Sequence, residues 1–175
     1  SSLHGVENHA ATDADVVVLA TVADSLVATA ADLADHLAGR IVVSMGNLLT
    51  RAGRGFAAVL PEHGSLAVGV QHAAPKARVV GAFQNLPARA LAELDRPLDA
   101  DVVVCGDDAE AVDAVIALTA TVDGLHPLDG GPLVNCAAVE ALTAVLLTVN
   151  RSRKAEHGVR IVELRSQRAS VAASS

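Results

Sequence analysis

The sequence contains no tryptophan or tyrosine, only two phenylalanines (Phe56 and Phe83), two cysteines and a single methionine among 175 residues. The aromatic shortage excludes a stacking platform for nucleobases or a flavin-type ring. Two cysteines are too few for a disulfide framework, and no CxxC pair occurs. Cys105 and Cys136 lie in apolar runs, one ending a strand and one opening a helix, and read as buried structural thiols. Positive charge is scarce as well: 13 Lys and Arg stand against 20 Asp and Glu, for a net charge of −7. That balance excludes a nucleic-acid groove, because neutralising phosphates takes clustered cations. No secretory signal is visible, and no run approaches the ~20 apolar residues that cross a bilayer, since the most apolar segment carries Glu140. A cytoplasmic protein is expected.

What is present is a globular composition, 51% hydrophobic and 19% charged, whose core volume must come from Val, Leu and Ala. Asp15 to Ala20 is a β-branched run suited to a parallel strand covered on both faces. Ala23 to Ala38 is an amphipathic helix with Leu26, Ala30, Leu33 and Leu37 on one face, closed by Gly39. Arg40 to Ser44 is the next strand, so the unit predicts a crossover and a parallel sheet. Met45 to Gly55 reads as a polar connection, Ser65 to Ala74 as a helix, and Ala77 to Phe83 as a third strand. Gln84 to Ala88 then breaks the chain with two side-chain amides and a proline, groups able to bond a carboxamide or ring carbonyl. Asp101 to Cys105 is a fourth strand. Asp107 and Asp108 suit helix capping better than a metal, because Asp107 stands three before Glu110 ahead of the periodic run Val112 to Val122.

The most distinctive stretch is Gly124 to Thr143, GLHPLDGGPLVNCAAVEALT. Pro127 biases His126 away from helix, so Gly124 to Asp129 reads as extended. Gly130-Gly131 permits positive φ or close approach to a ligand, and Pro132 suits the first turn of an apolar helix from Leu133 to Val149. Apolar residues nearly encircle that helix, which predicts burial partly against a second chain. Gly158 to Leu164 reads as a last strand and residues 165–175 as a disordered tail. The histidines form no HExxH pair, and neither a GxSxG elbow nor a Walker loop occurs. A chain without nucleophile, metal cluster or acid–base pair is compatible with chemistry in which positioning does most of the work.

Taken together, DVVVLATVADSL, GRIVVSMGN, ARVVGAFQNLPA, DADVVVCGDDAEA, GLHPLDGGPLVNCAAVEALTAVLLTVNR and HGVRI resemble one family in order and spacing. They resemble the NADPH-dependent reductases of the deazaflavin coenzyme F-420, from about Asp13 to Ile161. The resemblance implies hydride transfer between NADP(H) and the deazaflavin, with NADP and coenzyme F-420 as cofactors, and a homodimer. It implies an α/β fold: a partial Rossmann-like parallel sheet followed by a smaller helical C-terminal domain. Residues 1–83 would be the remnant of the dinucleotide-binding domain and residues 84–164 the deazaflavin-side and dimerisation domain. By position, Thr21, Val22 and Ser25 would line the nicotinamide side, and Asn47 and Leu48 would border the nucleotide. Asn85, Pro87 and Ala88 would sit between the cofactors, and His157 and Gly158 would close the site. The chain departs from the family in carrying Val22 where some members have proline. It also lacks a GxGxxG turn, so an incomplete chain without the phosphate-cradling amides is expected. A reductase with another acceptor and a non-catalytic dimerising module are the alternative readings.

Overall fold

A computed structural model describes residues 4–93 and 98–164; the expected tail at 165–175 lies outside the described residues. A five-stranded sheet organises them, in the order β1-β2-β5-β6-β7. Strands β1 (Val16–Leu19), β2 (Ile41–Ser44) and β5 (Arg78–Gly81) run parallel, with Val17 beside Val42 and Val42 beside Val79. The continuous β-branched runs are parallel strands with both faces covered, as their composition requires. The direction then reverses. Strand β6 (Ala100–Gly106) is antiparallel to β5, and β7 (Leu125–Asp129) is parallel to β6. The sheet is therefore mixed. Pro127 is tolerated inside β7 because that strand is the sheet's edge, where a missing N–H costs no ladder bond.

Side chains alternate between two cores. Helices α2 (Ala23–Asp32) and α3 (Leu66–Ala73) cover one face over Val17, Leu19, Val42 and Val79. Helix α5 (Ala109–Thr119) covers the other over Val43, Val80, Val102 and Val104. Short helices α1 (Asn8–Ala11) and α4 (Ala88–Ala92) flank this framework. A 3-10 turn (Leu133–Asn135) leads into the long helix α6 (Cys136–Arg153).

Several expectations are corrected. Helix α2 ends at Asp32, and the chain continues in tight turns to Gly39, although Leu33 and Leu37 stay buried. The connection after β2 contains a hairpin, β3 (Leu49–Ala52) with β4 (Gly55–Ala58), turning through Gly53-Arg54 with Gly53 at φ +51. Its short strands, LTRA and GFAA, lack the alternation that announces a strand. Gly158 to Leu164 forms no strand. It lies beside the start of β6, where Val159 accepts the Asp101 N–H at 2.8 Å and Ile161 donates to the Asp101 carboxylate. With Arg160 and 161–164 exposed, nothing buries a further ladder. The cap of α5 is Asp108, whose Oδ1 accepts the Ala111 N–H at 2.8 Å, whereas Asp107 accepts the Leu133 N–H at 2.9 Å and ties α5 to α6.

Helix α6 is not encircled by protein. Cys136, Glu140, Thr143 and Ala144 face inward, whereas Leu142 and Val145, and Val134 in the turn before the helix, are exposed. By length and composition alone, Leu133–Arg153 is long and apolar enough to cross a bilayer, with mean hydropathy 1.7. That differs from the expectation that Glu140 interrupts such a run. Glu140 instead points into the protein and binds it to α3.

Candidate functional site

In a parallel sheet, ligands gather where strands end. The carboxyl ends of β1, β2 and β5 share one edge, and the reversal of β6 places its first residues there too. All ten residues expected at the site lie on this edge. The Gly130-Gly131 turn does not. It follows β7, whose carboxyl end lies at the opposite edge, and its glycines serve packing: a Cβ on Gly130 would stand 2.5 Å from Val103 Cγ1 and 2.6 Å from Cys105 Sγ. Gly131 takes φ +82, open to glycine without strain.

Helix α6 starts beneath that far turn and runs toward the site edge. It can lie close to the sheet because Gly81 has no side chain; a Cβ there would meet Cys136 Sγ at 2.2 Å. Successive turns of α6 each hold a different loop. Glu140 accepts the N–H groups of Leu66 at 2.8 Å and Ala67 at 3.1 Å, at the N-terminus of α3. Burial pushes the Glu140 carboxyl above its ordinary value, and these two backbone bonds oppose that shift. Thr148 accepts the Phe56 N–H at 3.0 Å and so fixes the hairpin.

Between them, Thr143 joins the ends of β2 and β5. Its Oγ1 lies 2.9 Å from Asn47 Oδ1 and 3.0 Å from the Gln84 carbonyl oxygen, and it accepts from Asn85 Nδ2 at 2.9 Å. Asn47 Nδ2 donates to the Gln84 carbonyl at 2.9 Å, and Asn85 Nδ2 also donates to the Val139 carbonyl at 2.8 Å. Both hydrogens of the Asn85 amide are thus spent inside the protein. The side chains of Asn47 and Asn85, both among the expected site residues, are thus engaged in shaping the loops at this edge.

Asn150, near the end of α6, sets the orientation of His157. Its Oδ1 accepts the His157 backbone N–H at 2.9 Å and lies 2.8 Å from Nδ1. An amide oxygen only accepts, so Nδ1 carries a hydrogen toward Asn150 and Nε2 is left for another partner. His157 and Gly158 line a cleft of about 600 Å³ together with Leu86, Pro87 and Arg89. Ala88, exposed at the first turn of α4, follows Pro87 on its rim. Leu48 is half-buried, and its carbonyl accepts the Val59 N–H at 2.9 Å where the hairpin returns.

Thr21 and Val22 are exposed where β1 gives way to α2, and Ser25 donates to the Val22 carbonyl at 3.1 Å. They stand two strands from β5, about 10 Å at ordinary strand spacing. No hydrogen bond among the described residues links them to the other seven. The structure therefore gathers the expected residues in three groups along one edge. Sequence reasoning missed Glu140, Thr143, Thr148 and Asn150. The available signal was their polarity on an otherwise apolar helix at spacings that return to one face.

Cys105 and Cys136 are both free and fully buried, as expected. Cys136 donates its S–H toward Cys105. That bond and burial push the Cys136 thiol far up, whereas the same bond lowers Cys105.

No family model matches the chain. An F420-dependent NADP reductase of Methanocaldococcus jannaschii is 38% identical over 164 residues, 91% of this chain and 74% of that protein. A second F420-dependent NADP reductase, from Methanothermobacter thermautotrophicus, is 30% identical over 188 residues, 95% of this chain and 74% of that protein. Among solved structures, a protein of Arthrobacter sp. FB24 assigned as an F420-dependent NADP reductase superposes with a TM-score of 0.74 at 26% identity. That match covers 86% of this chain and 72% of the Arthrobacter chain.

Proposed function

The chain belongs to the F420-dependent NADP reductases, and on that footing we propose that it transfers a hydride between NADP(H) and the deazaflavin coenzyme F-420. The observation that carries the reading is the 38% identity over 91% of the chain to a reductase of that name. The site edge fits it. A cleft of about 600 Å³ is of ligand size, since such pockets run about 300–1,000 Å³. His157 Nε2 offers it one polar group of settled orientation. When both coenzymes are bound, the chemistry they supply is the passage of a hydride from one ring carbon to another. The protein's task is then to hold two rings in register and keep water out.

In this reading Thr21, Val22 and Ser25 serve the nicotinamide, and Leu48 and the backbone of Asn47 border the nucleotide. The backbone at Asn85, with Pro87 and Ala88, separates the two rings, and His157 and Gly158 close the deazaflavin side. Residues 1–83 serve the nucleotide and residues 84–164 the deazaflavin. The exposed Leu142 and Val145 of α6, with Val134 in the turn before it, support pairing of two copies through that helix. A cytoplasmic location belongs to the same reading, supported by the inward-facing Glu140 on the helix that, among the described residues, is apolar enough for a membrane.

Deuterated NADPH tests the activity. Deuterium appearing on the deazaflavin, with bleaching of its visible band, is the expected result. Tight binding of NADP(H) with no binding of deazaflavin would redirect the reading to another acceptor.

A further inference from the structure

Five cations stand on two elements that leave the site edge, in a chain that is otherwise acidic. Arg51 and Arg54 stand on the β3–β4 hairpin, and Arg151, Arg153 and Lys154 on the last turn of α6 and its cap. They are five of the chain's 13 Lys and Arg, and neither the stretch from Met45 to Pro61 nor that from Ala141 to Ala155 contains an acidic residue. All five are exposed. Among the described residues, the ion pairs use Arg40, Arg78, Arg89, His126 and Arg160 and none of these five. Arg51 lies over the Phe56 ring at 5.9 Å, which fixes its stem while leaving its charge unpaired.

Two elements distant in sequence are brought together here. The Phe56 N–H donates to Thr148 Oγ1, and a Cβ on Gly55 would lie 2.3 Å from that same oxygen. The hairpin turn thus sits on α6 less than one turn before Arg151. Cations at a helix C-terminus offset the helix dipole, which accounts for Arg151 and Arg153. It does not account for Arg51 and Arg54, which belong to another element. Both parts of the patch also lead out of the site edge: the hairpin leaves from Leu48, and Lys154 is followed by Ala155 to Gly158 in the cleft wall, whose own carboxylates, Glu93, Asp99 and Glu156, leave the anion-binding charge to the patch outside it.

We infer that this patch binds a polyanionic extension of a coenzyme held in the cleft, namely the acidic phosphate- and carboxylate-bearing tail of the deazaflavin. The inference rests on the reading of the function given above. Guanidinium groups suit such a ligand, because each pairs bidentately with phosphate or carboxylate oxygens. An exposed patch of this kind adds affinity that falls with ionic strength. The phosphates of NADP carry the same chemistry, and the experiment separates the two sources.

Three ligands are titrated into the full chain and into a variant, Arg51→Gln with Arg54→Gln and Arg153→Gln, at low and high salt. The ligands are the deazaflavin with its complete tail, the tail-less deazaflavin riboside, and NADP. The expected result is a loss of about tenfold in affinity for the tailed form at low salt, no change for the riboside or NADP, and an unchanged melting temperature. A loss confined to NADP would assign the patch to the nucleotide and overturn the inference. Equal losses for tailed and tail-less forms, or no loss, would overturn it as well. If the parent chain binds the riboside and the tailed form equally, only this inference falls; if it binds neither, the functional reading falls with it.

Discussion

Thr143 has one hydroxyl hydrogen and holds the ends of β2 and β5 with a single oxygen. Thr143→Val keeps the shape and leaves Asn47 and Asn85 short of partners in a buried place, which costs about 1–3 kcal/mol. Chemical denaturation reads this directly, and Thr143→Ser is expected to recover most of the loss; an undiminished valine variant would show that the loops hold themselves. Glu140 makes a pH prediction. Burial raises its pKa in the folded protein, so the folded state binds its proton more tightly than the unfolded chain does. The stability it contributes is present in acid and is lost as pH rises from the ordinary carboxylate range through the raised folded value. In Glu140→Gln that part of the decline disappears, and unfolding curves collected from acid to neutral pH should be flatter than the parent's. Neither residue was legible in advance. Their shared face on an apolar helix marks them as unusual, but what they bind is not readable until their partners, 96 and 74 residues away, are brought beside them.

At the scale of elements, β-branched runs located β1, β2, β5 and β6, because burial on both faces leaves a continuous apolar signature, whereas β7 was marked by Pro127. The hairpin β3–β4 escaped because its stability comes from α6 rather than from its own side chains, so its composition is that of a loop. The last strand was expected wrongly for the opposite reason: GVRIVEL has strand propensity, but it meets β6 through one backbone bond at Val159, and its residues 160–164 stay exposed with nothing to bury a ladder. Helix α6 presented an ambiguous pattern, apolar all round, and the structure resolves it into an inner polar-tipped stripe and an outer apolar face. Val145 is 57% exposed, so Val145→Asp should leave the unfolding free energy within about 0.5 kcal/mol of the parent. If two copies pair through this face, the same substitution shifts the sedimentation coefficient to that of a monomer. A monomeric parent would remove the pairing proposal.

For the molecule as a whole, the sheet has an open margin at β1. Asp15 accepts from Ile41 N–H, so in a parallel ladder residues 15, 17 and 19 turn their backbone groups toward β2. The amides of Val16 and Val18 therefore face outward, and Val18 is 45% exposed. Hydrogen exchange should be fast at Val16 and Val18 and slow at Val17 and Leu19. Uniform protection across all four would mean that something covers the margin, as an unguarded apolar strand edge invites.

The position of α6 in the chain also has a consequence in time. The loops after β2 and β5, the hairpin and the start of α3 are fastened by residues between 139 and 148, whereas the segments they hold lie before residue 86. During synthesis, the sheet strands β1, β2 and β5 emerge well before the helix that latches their ends. The cleft edge is then the last part of the molecule to set, and the first to loosen when α6 frays.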